Sequence, residues 1–287
     1  MSTIAESPSV DMMRRLLSGA GDLPVLPELA SQILQEIRSP RVTTASLAAL
    51  VKKDPVLASS VLRVANSALY GARVEITDLA FAMTRIGLSQ TRNLVLANVL
   101  RSRLMDRSVY GPQGAVLMDH ALAVAFASQM LADAINSERE EAFLCGLLHD
   151  FGRLALTKLL REARQVTTEE LPDDIVQVAD KYHAEAGALL ASAWSLPSIV
   201  GTVARYHHEI EEAPEAERLM VALVSLADAL AHRLGLGQRR SEDIDLDDHP
   251  SLAYLPIDQP RIAEVISLLP GIFQTARASM GCSGREG

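Results

Sequence analysis

The stretch FLCGLLHDFGRL, residues 143–154, decides how the rest of the chain is interpreted. Its apolar run predicts a buried helix, and Gly152 predicts that this helix ends just after the pair His149-Asp150. Adjacent side chains on a straight helix diverge by about 100°, whereas at a helix end the backbone can turn so that both reach one centre. Imidazole and carboxylate are usual ligands of divalent metals. The pair is therefore a candidate for metal binding.

A wider set of histidines and aspartates surrounds this pair in the second half of the chain. Because the members are spread over several predicted helices or helix ends, a helical bundle could bring them together. The set consists of His120, His149, Asp150, His183, His207, His208 and Asp228.

Simpler roles stay open for single members of the set. His120 could be a half-buried, hydrogen-bonded residue, His183 a helix cap, and the pair His207-His208 a cation at a helix C-terminus. Asp228 lies between Leu226 and Leu230, where a carboxylate requires a partner. The remaining histidines, His232 and His249, match no motif and are predicted to be surface residues.

Composition favours an all-helical, non-membrane protein. The chain of 287 residues is 48% hydrophobic but only 4% aromatic, which suits packed helices better than sheets. Its formal net charge of -9 opposes nucleic-acid binding. We find no signal peptide and no apolar run near the ~18 residues of a bilayer span, so a cytoplasmic location is expected. The two cysteines, Cys145 and Cys282, predict no disulfide framework.

About a dozen helices and no strand are predicted. The sequence Tyr110-Gly-Pro-Gln-Gly114 is the clearest linker, and the chain is divided there. The predicted division is an N-terminal segment 1–20, a helical subdomain 21–110, a second helical subdomain 111–236, and a region 237–287 with an acidic loop, a C-terminal helix and a disordered tail. Pro270-Gly271 predicts a break in that last helix.

Local signals predict where three helices begin. Asp54-Pro55 reads as an N-cap followed by proline at the first helical position. A long helix carrying His120 is expected from about Val116 to Ile135. His183 is expected to begin a helix of its own, with the sequence HAEAGALL.

Several separated segments resemble one known family. In the first half these are LPVLPELASQILQEI, LVKKDPVLASSVLRVANSALYG and AFAMTRIGLSQTRNLVLA; in the second they are FLCGLLHDFGRLAL, YHAEAGALLASAWSLP, VARYHHE and VSLADALA. In this order they resemble the HDOD family, the bacterial HD-related output domain. The resemblance implies an all-helical, HD-domain-like bundle with an N-terminal helical subdomain, used mainly in bacterial signal transduction. Members are generally regarded as regulatory modules without established catalysis.

The resemblance also implies roles for the histidine and aspartate set, because HDOD proteins are similar to HD-GYP phosphodiesterases with their two- or three-metal centres. His120, His149, Asp150 and Asp228 would hold one metal, and His183, His207 and His208 would complete a second site. Asp150 could bridge two cations about 3.5–4 Å apart, which would activate a water for attack on a phosphate. Asp150 and Arg153 are the candidate catalytic residues. Iron, manganese and zinc are the candidate metals.

Two departures from the HD-GYP pattern weigh against catalysis. Arg153 stands where those enzymes have lysine, and the two residues are not interchangeable donors. The segment EIEEAPEA after His208 lacks the Gly-Tyr-Pro signature, and its acidity opposes a polyanionic dinucleotide.

The interpretation preferred from the sequence is therefore a regulatory HDOD module that acts through signalling proteins in trans, with no nucleic-acid or membrane partner. The alternative is a metal-dependent phosphohydrolase that acts on a nucleotide or cyclic dinucleotide. Asn66, Ser67 and Tyr70 are candidates for partner contact, although they could equally end a helix and pack between subdomains. Whether the chain forms a homodimer stays open.

Overall fold

The structure is a computed structural model, and it describes residues 28–38, 43–67, 70, 74–104, 107–163, 165–166, 171–237, 241 and 243–280. The predictions for segment 1–20 and for the disordered tail with Cys282 lie outside these ranges. Within them the chain forms twelve α-helices and no strand, which confirms the all-α prediction. The helices are α1 (Glu28–Arg38), α2 (Thr44–Val51), α3 (Pro55–Ala65), α4 (Leu79–Ile86), α5 (Leu88–Leu104), α6 (Arg107–Ala134), α7 (Arg139–Leu148), α8 (Phe151–Ala163), α9 (Asp173–Ala193), α10 (Ser198–Tyr206), α11 (Arg218–Leu234) and α12 (Gln259–Ser279). Two short 3-10 helices span Ile210–Glu212 and Pro250–Ala253.

Side-chain caps set the starts of the early helices. The carboxylate of Asp54 accepts hydrogen bonds from the backbone N–H groups of Val56 and Leu57, and Pro55 occupies the first helical position, as the sequence predicts. Thr43 and Ser46 form a reciprocal capping box at the start of α2. These caps satisfy donors that a helix start would otherwise leave unpaired.

One continuous hydrophobic core connects both halves of the chain. It runs from Val61 in α3 through Phe126 in α6 and Phe143 in α7 to Phe273 in α12. A second, smaller core lies between α8 and α9 and includes Leu156. Helix α6 lies at the centre and packs against α7, α11 and α12.

The central position of α6 also accounts for its composition. By length and composition, Gln113–Ala134 could cross a membrane, so the prediction that no apolar run approaches that length is wrong. In the fold, 78% of its most apolar window is buried by the protein itself, which is the situation of a core helix.

The predicted linker around Tyr110–Gly114 coincides with a kink inside α6. Gly111 has φ 61° and ψ -160°, a conformation that interrupts the helix and suits only glycine. Tyr110 before the kink and Met118 after it are both buried, so packing holds the chain on both sides. The part of α6 that carries His120 therefore begins directly after Gly111, a few residues before the predicted start near Val116.

Two helix predictions in the second half are wrong. His183 lies in the middle of α9, because the buried positions Ile175, Ala179 and Tyr182 extend the apolar face a further two turns before it. Helix α12 continues through Pro270 without a break. Burial of Leu269 and Phe273 on either side of the proline offsets the lost backbone hydrogen bond.

Candidate metal centre

The fold brings all seven predicted ligands together. They come from α6, the junction of α7 and α8, the middle of α9, the end of α10, and α11. His208 is exposed, Asp228 is half-buried, and the others are buried, namely His120, His149, Asp150, His183 and His207.

The first group of ligands surrounds one oxygen of Asp228. His120 Nε2 lies 2.8 Å from Asp228 Oδ1, and His149 Nε2 lies 3.8 Å from the same atom. His149 Nε2 is also 3.8 Å from Asp150 Oδ2. His149 is thus placed between the two carboxylates.

The second group surrounds the other oxygen of Asp150. Asp150 Oδ1 lies 3.3 Å from His183 Nε2 and 3.6 Å from His207 Nε2. His208 Nε2 is 3.1 Å from His183 Nε2. One ligand atom from each of these four residues lies within 4.8 Å of every other, a spacing that a single cation can span. Asp150 therefore belongs to both groups, as a bridging carboxylate would.

Backbone carbonyls fix how three of the imidazole rings are protonated. His149 Nδ1 contacts Gly146 O at 2.7 Å, His183 Nδ1 contacts Asp180 O at 2.6 Å, and His207 Nδ1 contacts Ala204 O at 3.0 Å. A carbonyl oxygen only accepts, so each Nδ1 carries the proton and donates it. In the neutral rings Nε2 is then a free lone pair directed at the centre, which is the arrangement of metal-ligating histidines.

The interior of the centre contains unsatisfied polar atoms. His149 Nε2 and Asp150 Oδ1 are buried and have no hydrogen-bond partner among the described residues. A buried polar atom without a partner costs free energy. Cations held between the two groups would coordinate both atoms, so the residues present fit a divalent metal.

Burial and neighbouring charges keep most of the candidate histidine ligands uncharged at neutral pH, which is the form that binds a metal. Burial lowers the pKa of His149 to about 4, and it also lowers the pKa of His183. His208 keeps an exposed edge, but partial burial of its ring, together with the neighbouring His207 and His183, lowers its pKa to about 3. Burial alone would also lower the pKa of His207, but Asp150 outweighs it and raises that pKa.

The charges around the two carboxylates favour their ionised form. Burial alone would raise the pKa of Asp150 and of Asp228, but the surrounding histidines, together with Arg153 for Asp150, hold both pKa values well below the usual range.

Arg153 contacts carboxylates rather than the cavity. Its Nε donates to Asp150 Oδ2 at 2.8 Å, and its terminal nitrogen donates to Asp180. Arg153 therefore orients Asp150, as an outer-shell partner does.

Two histidines predicted to be surface residues are half-buried and make specific contacts. His232 is half-buried, and its Nε2 lies 3.4 Å from Asp228 Oδ1. His249 is half-buried and caps the 3-10 helix Pro250–Ala253 by accepting from Ser251 N. The spacing of Asp228 and His232, four residues apart on one helix face, is the sequence signal that could have identified the first of them.

A cavity of about 970 Å³ opens beside the centre. His207, His208, Asp228 and His232 line it. Much of the remaining wall is acidic and comes from Glu209, Glu211, Glu212 and Asp245, while Arg205 in that wall pairs with Glu185 at 2.9 Å. The cavity is therefore lined by histidines of the centre on one part of its surface and by acidic residues on much of the rest.

The candidate contact residues in the first half lie far along the chain from this centre. The side-chain amide of Asn66 pairs with both backbone groups of Ile76 and closes the loop between them, and Ser67 Oγ donates to Val64 O. Half-buried Tyr70 lines a small cavity with Phe126. A role of these residues in partner binding stays a prediction.

Comparison with known proteins identifies the family. The HDOD domain model matches residues 23–210. The chain belongs to the HDOD family. This confirms the resemblance, and it leaves Asp228 and His232 beyond the matched range.

Relatives extend the comparison to the whole fold. An HDOD domain protein with unknown function from Geobacter sulfurreducens matches with a TM-score of 0.73 and 25% identity, covering 93% of this chain and 96% of that one. A provisionally assigned phosphohydrolase from Shewanella amazonensis shares the fold, with a TM-score of 0.69, 24% identity and coverage of 92% and 97%. An uncharacterized protein from Treponema pallidum is 29% identical over 72% of this chain, which spans 42% of that relative's length.

Proposed function

We propose that this HDOD chain is a bacterial signal-transduction module whose second half holds a two-metal centre. The observation that supports it is the convergence of five histidines on Asp150 and Asp228, with bare Nε2 atoms of His149 and His183 directed inward. His120, His149, Asp150 and Asp228 would hold one cation, and Asp150, His183, His207 and His208 the other. Iron, manganese and zinc suit this mixture of imidazole and carboxylate.

The role proposed for the metals is to join helices that a partner protein contacts. The ligands come from α6, α9, α10 and α11 and from the junction of α7 and α8, so bound cations would fix these helices relative to one another. Signalling proteins supplied in trans are the proposed partners, and the cytoplasm is the proposed location. The acidic cavity wall supports regulation over catalysis, because it repels phosphorylated substrates.

The deciding experiment measures metal per chain by mass spectrometry, on protein purified without a histidine tag or chelator. We expect at least one equivalent of iron, manganese or zinc, and its loss in Asp150→Ala. Glu211→Ala is the matched control, because it removes an exposed carboxylate of the same cavity that belongs to neither ligand group. A wild-type protein without metal, even after incubation with manganese or ferrous iron, would overturn the proposal.

The partner role is tested by photo-crosslinking in cells. Wild type and Asp150→Ala carry the same crosslinker at an exposed position on α10. We expect a specific crosslinked protein with wild type and a weaker product with Asp150→Ala. Equal products from both would show that the centre does not govern partner contact.

A metal-dependent phosphohydrolase is the second candidate. The observation that favours it is that Asp228, His207 and His208 reach a cavity open to solvent. A bound metal pair would polarise a phosphoester and activate a water. Hydrolysis of bis-p-nitrophenyl phosphate or a cyclic dinucleotide by manganese-loaded protein, abolished in Asp150→Ala, would support this candidate; activity that survives the substitution would exclude this centre as its source.

A further inference from the structure

We infer that His232 is an additional metal ligand that closes the Asp228 side of the centre. The inference rests on the proposed two-metal centre and deepens it. With His232 added, the cation held by His120, His149, Asp150 and Asp228 would be structural rather than one that accepts a substrate.

The geometry around Asp228 supports a ligand role. Three imidazole Nε2 atoms surround its Oδ1, with His120 at 2.8 Å, His232 at 3.4 Å and His149 at 3.8 Å. Ligands bound to one metal at about 2.0–2.2 Å lie roughly 3 to 3.5 Å apart. The three separations of 2.8, 3.4 and 3.8 Å lie within this range or just to either side of it, so a small adjustment on metal binding would bring the atoms into one coordination shell.

A hydrogen bond alone explains His232 less well. Its 3.4 Å distance from Asp228 is long for an N–H donor, and His120 already contacts the same oxygen at 2.8 Å. In addition, ligand atoms of His120, Asp228 and His232 all lie within 4.8 Å of one another.

The backbone holds His232 in this position. Gly235 ends α11 in the left-handed conformation, with φ 67°. Ser241 lies against this helix end, where its backbone N–H donates to His232 O at 3.1 Å. Gly237 then packs so closely on α6 that an added Cβ would lie 2.1 Å from the backbone nitrogen of His120. The chain thereby fixes the His232 end of α11 against His120.

His232 lies on the side of the centre that faces the cavity. Asp228 and His232 line the cavity, whereas His120 and His149 lie behind them. Without His232 this side has four protein ligands, and His232 would be the fifth. Catalytic metal sites keep a position open for water or substrate, whereas structural sites fill theirs with protein ligands. His232 would occupy the position nearest the cavity.

The test uses the full chain loaded with Co²⁺, whose absorption spectrum reports its ligands. We compare wild type, His232→Ala and the bulk-retaining His232→Gln. Both variants should release Co²⁺ to a chelator at least tenfold faster than wild type. They should also show a spectral change on addition of inorganic phosphate that is absent or much weaker in wild type. Millimolar imidazole should restore the wild-type spectrum of His232→Ala, which a merely structural role would not produce.

His249→Asn is the matched control. His249 lines the same cavity, but it caps a 3-10 helix, and asparagine keeps the cap. It should behave as wild type. If both His232 variants keep the wild-type release rate, spectrum and phosphate response, the inference is wrong while the metal centre stands. A wild type that binds no Co²⁺ overturns both.

Discussion

Gly152 is the residue on which the approach of α8 to α9 depends. A Cβ there would lie 1.9 Å from the carbonyl oxygen of His183 and 2.6 Å from the nitrogen of Gly187. We expect Gly152→Ala to lower the free energy of unfolding of the metal-free protein by about 3 kcal/mol or more, because two helices must separate. Urea denaturation measures this. Gly201→Ala is the control, since its Cβ would meet only ordinary contacts at 3.6 Å, and equal stability of the two variants would contradict the prediction.

The buried histidines predict how the stability of the metal-free protein depends on pH. Their pKa values in the unfolded chain are near 6.5, and burial lowers the pKa of His149 to about 4. Between these values the unfolded chain binds more protons, so the free energy of unfolding must fall as the pH is lowered. His208 and His183 act in the same sense, while His207, with its raised pKa, partly offsets them.

Urea denaturation at pH 7 and pH 5 tests this dependence. We expect lower stability at pH 5, with His149 alone contributing on the order of 2 kcal/mol. His149→Gln should show a smaller difference between the two pH values. Stability that is unchanged or higher at pH 5 would mean that these imidazoles are not held uncharged in the fold.

Residue chemistry and motif spacing pointed to seven candidate ligands, which the fold brings together, but they missed that His232 lies beside Asp228. A carboxylate among leucines, as at Asp228, already requires a buried partner. The local sequence around His232 gives no such signal. Its role becomes visible only when the fold brings His120 of α6 to the same Asp228 oxygen. The protonation of the rings is equally invisible in sequence, since it follows from backbone carbonyls such as Gly146 O.

At the scale of helices, a side-chain cap predicted the start of α3, whereas the continuity of α9 and α12 was missed. Asp54 and Pro55 fix the start of α3 through contacts within a few residues, so the local sequence was sufficient to predict that start. The course of α9 and α12 depends on long-range packing instead. The apolar face before His183 and the burial around Pro270 outweigh local signals that favour a helix start and a helix break.

Substitution of Gly271 by alanine should change the free energy of unfolding in the opposite direction to the same substitution at Gly152. It lies inside α12 directly after Pro270, and an added Cβ would meet nothing within 4 Å. Gly271→Ala should therefore raise the free energy of unfolding by about 1 kcal/mol, because alanine loses less backbone entropy in a helix. Thermal denaturation should show a higher Tm. A lower Tm would mean that the helix needs the freedom of glycine beside the proline.

For the whole molecule, the continuous core implies that both halves unfold together. Helices α3, α6 and α12 share one apolar interior. Trp194, the chain's one tryptophan, lies at the end of α9 in the second half, so its fluorescence reports on that half. Far-UV circular dichroism reports on all helices. We expect the two signals to give coincident unfolding transitions in the metal-free protein, which is the behaviour of a cooperative unit.

Metal should move this shared transition, because the ligands lie on helices built into the same core. At a free concentration of 100 times Kd, each cation adds about 2.7 kcal/mol to the folded state. We expect Mn²⁺ to raise the Tm of wild type in both signals, and to do so much less in Asp150→Ala. Amide exchange should slow most in α9 and α10, which carry His183 and lead into His207. If Mn²⁺ shifts only the Trp194 signal, the core does not couple the centre to the first half, and a partner bound there could not sense the metal.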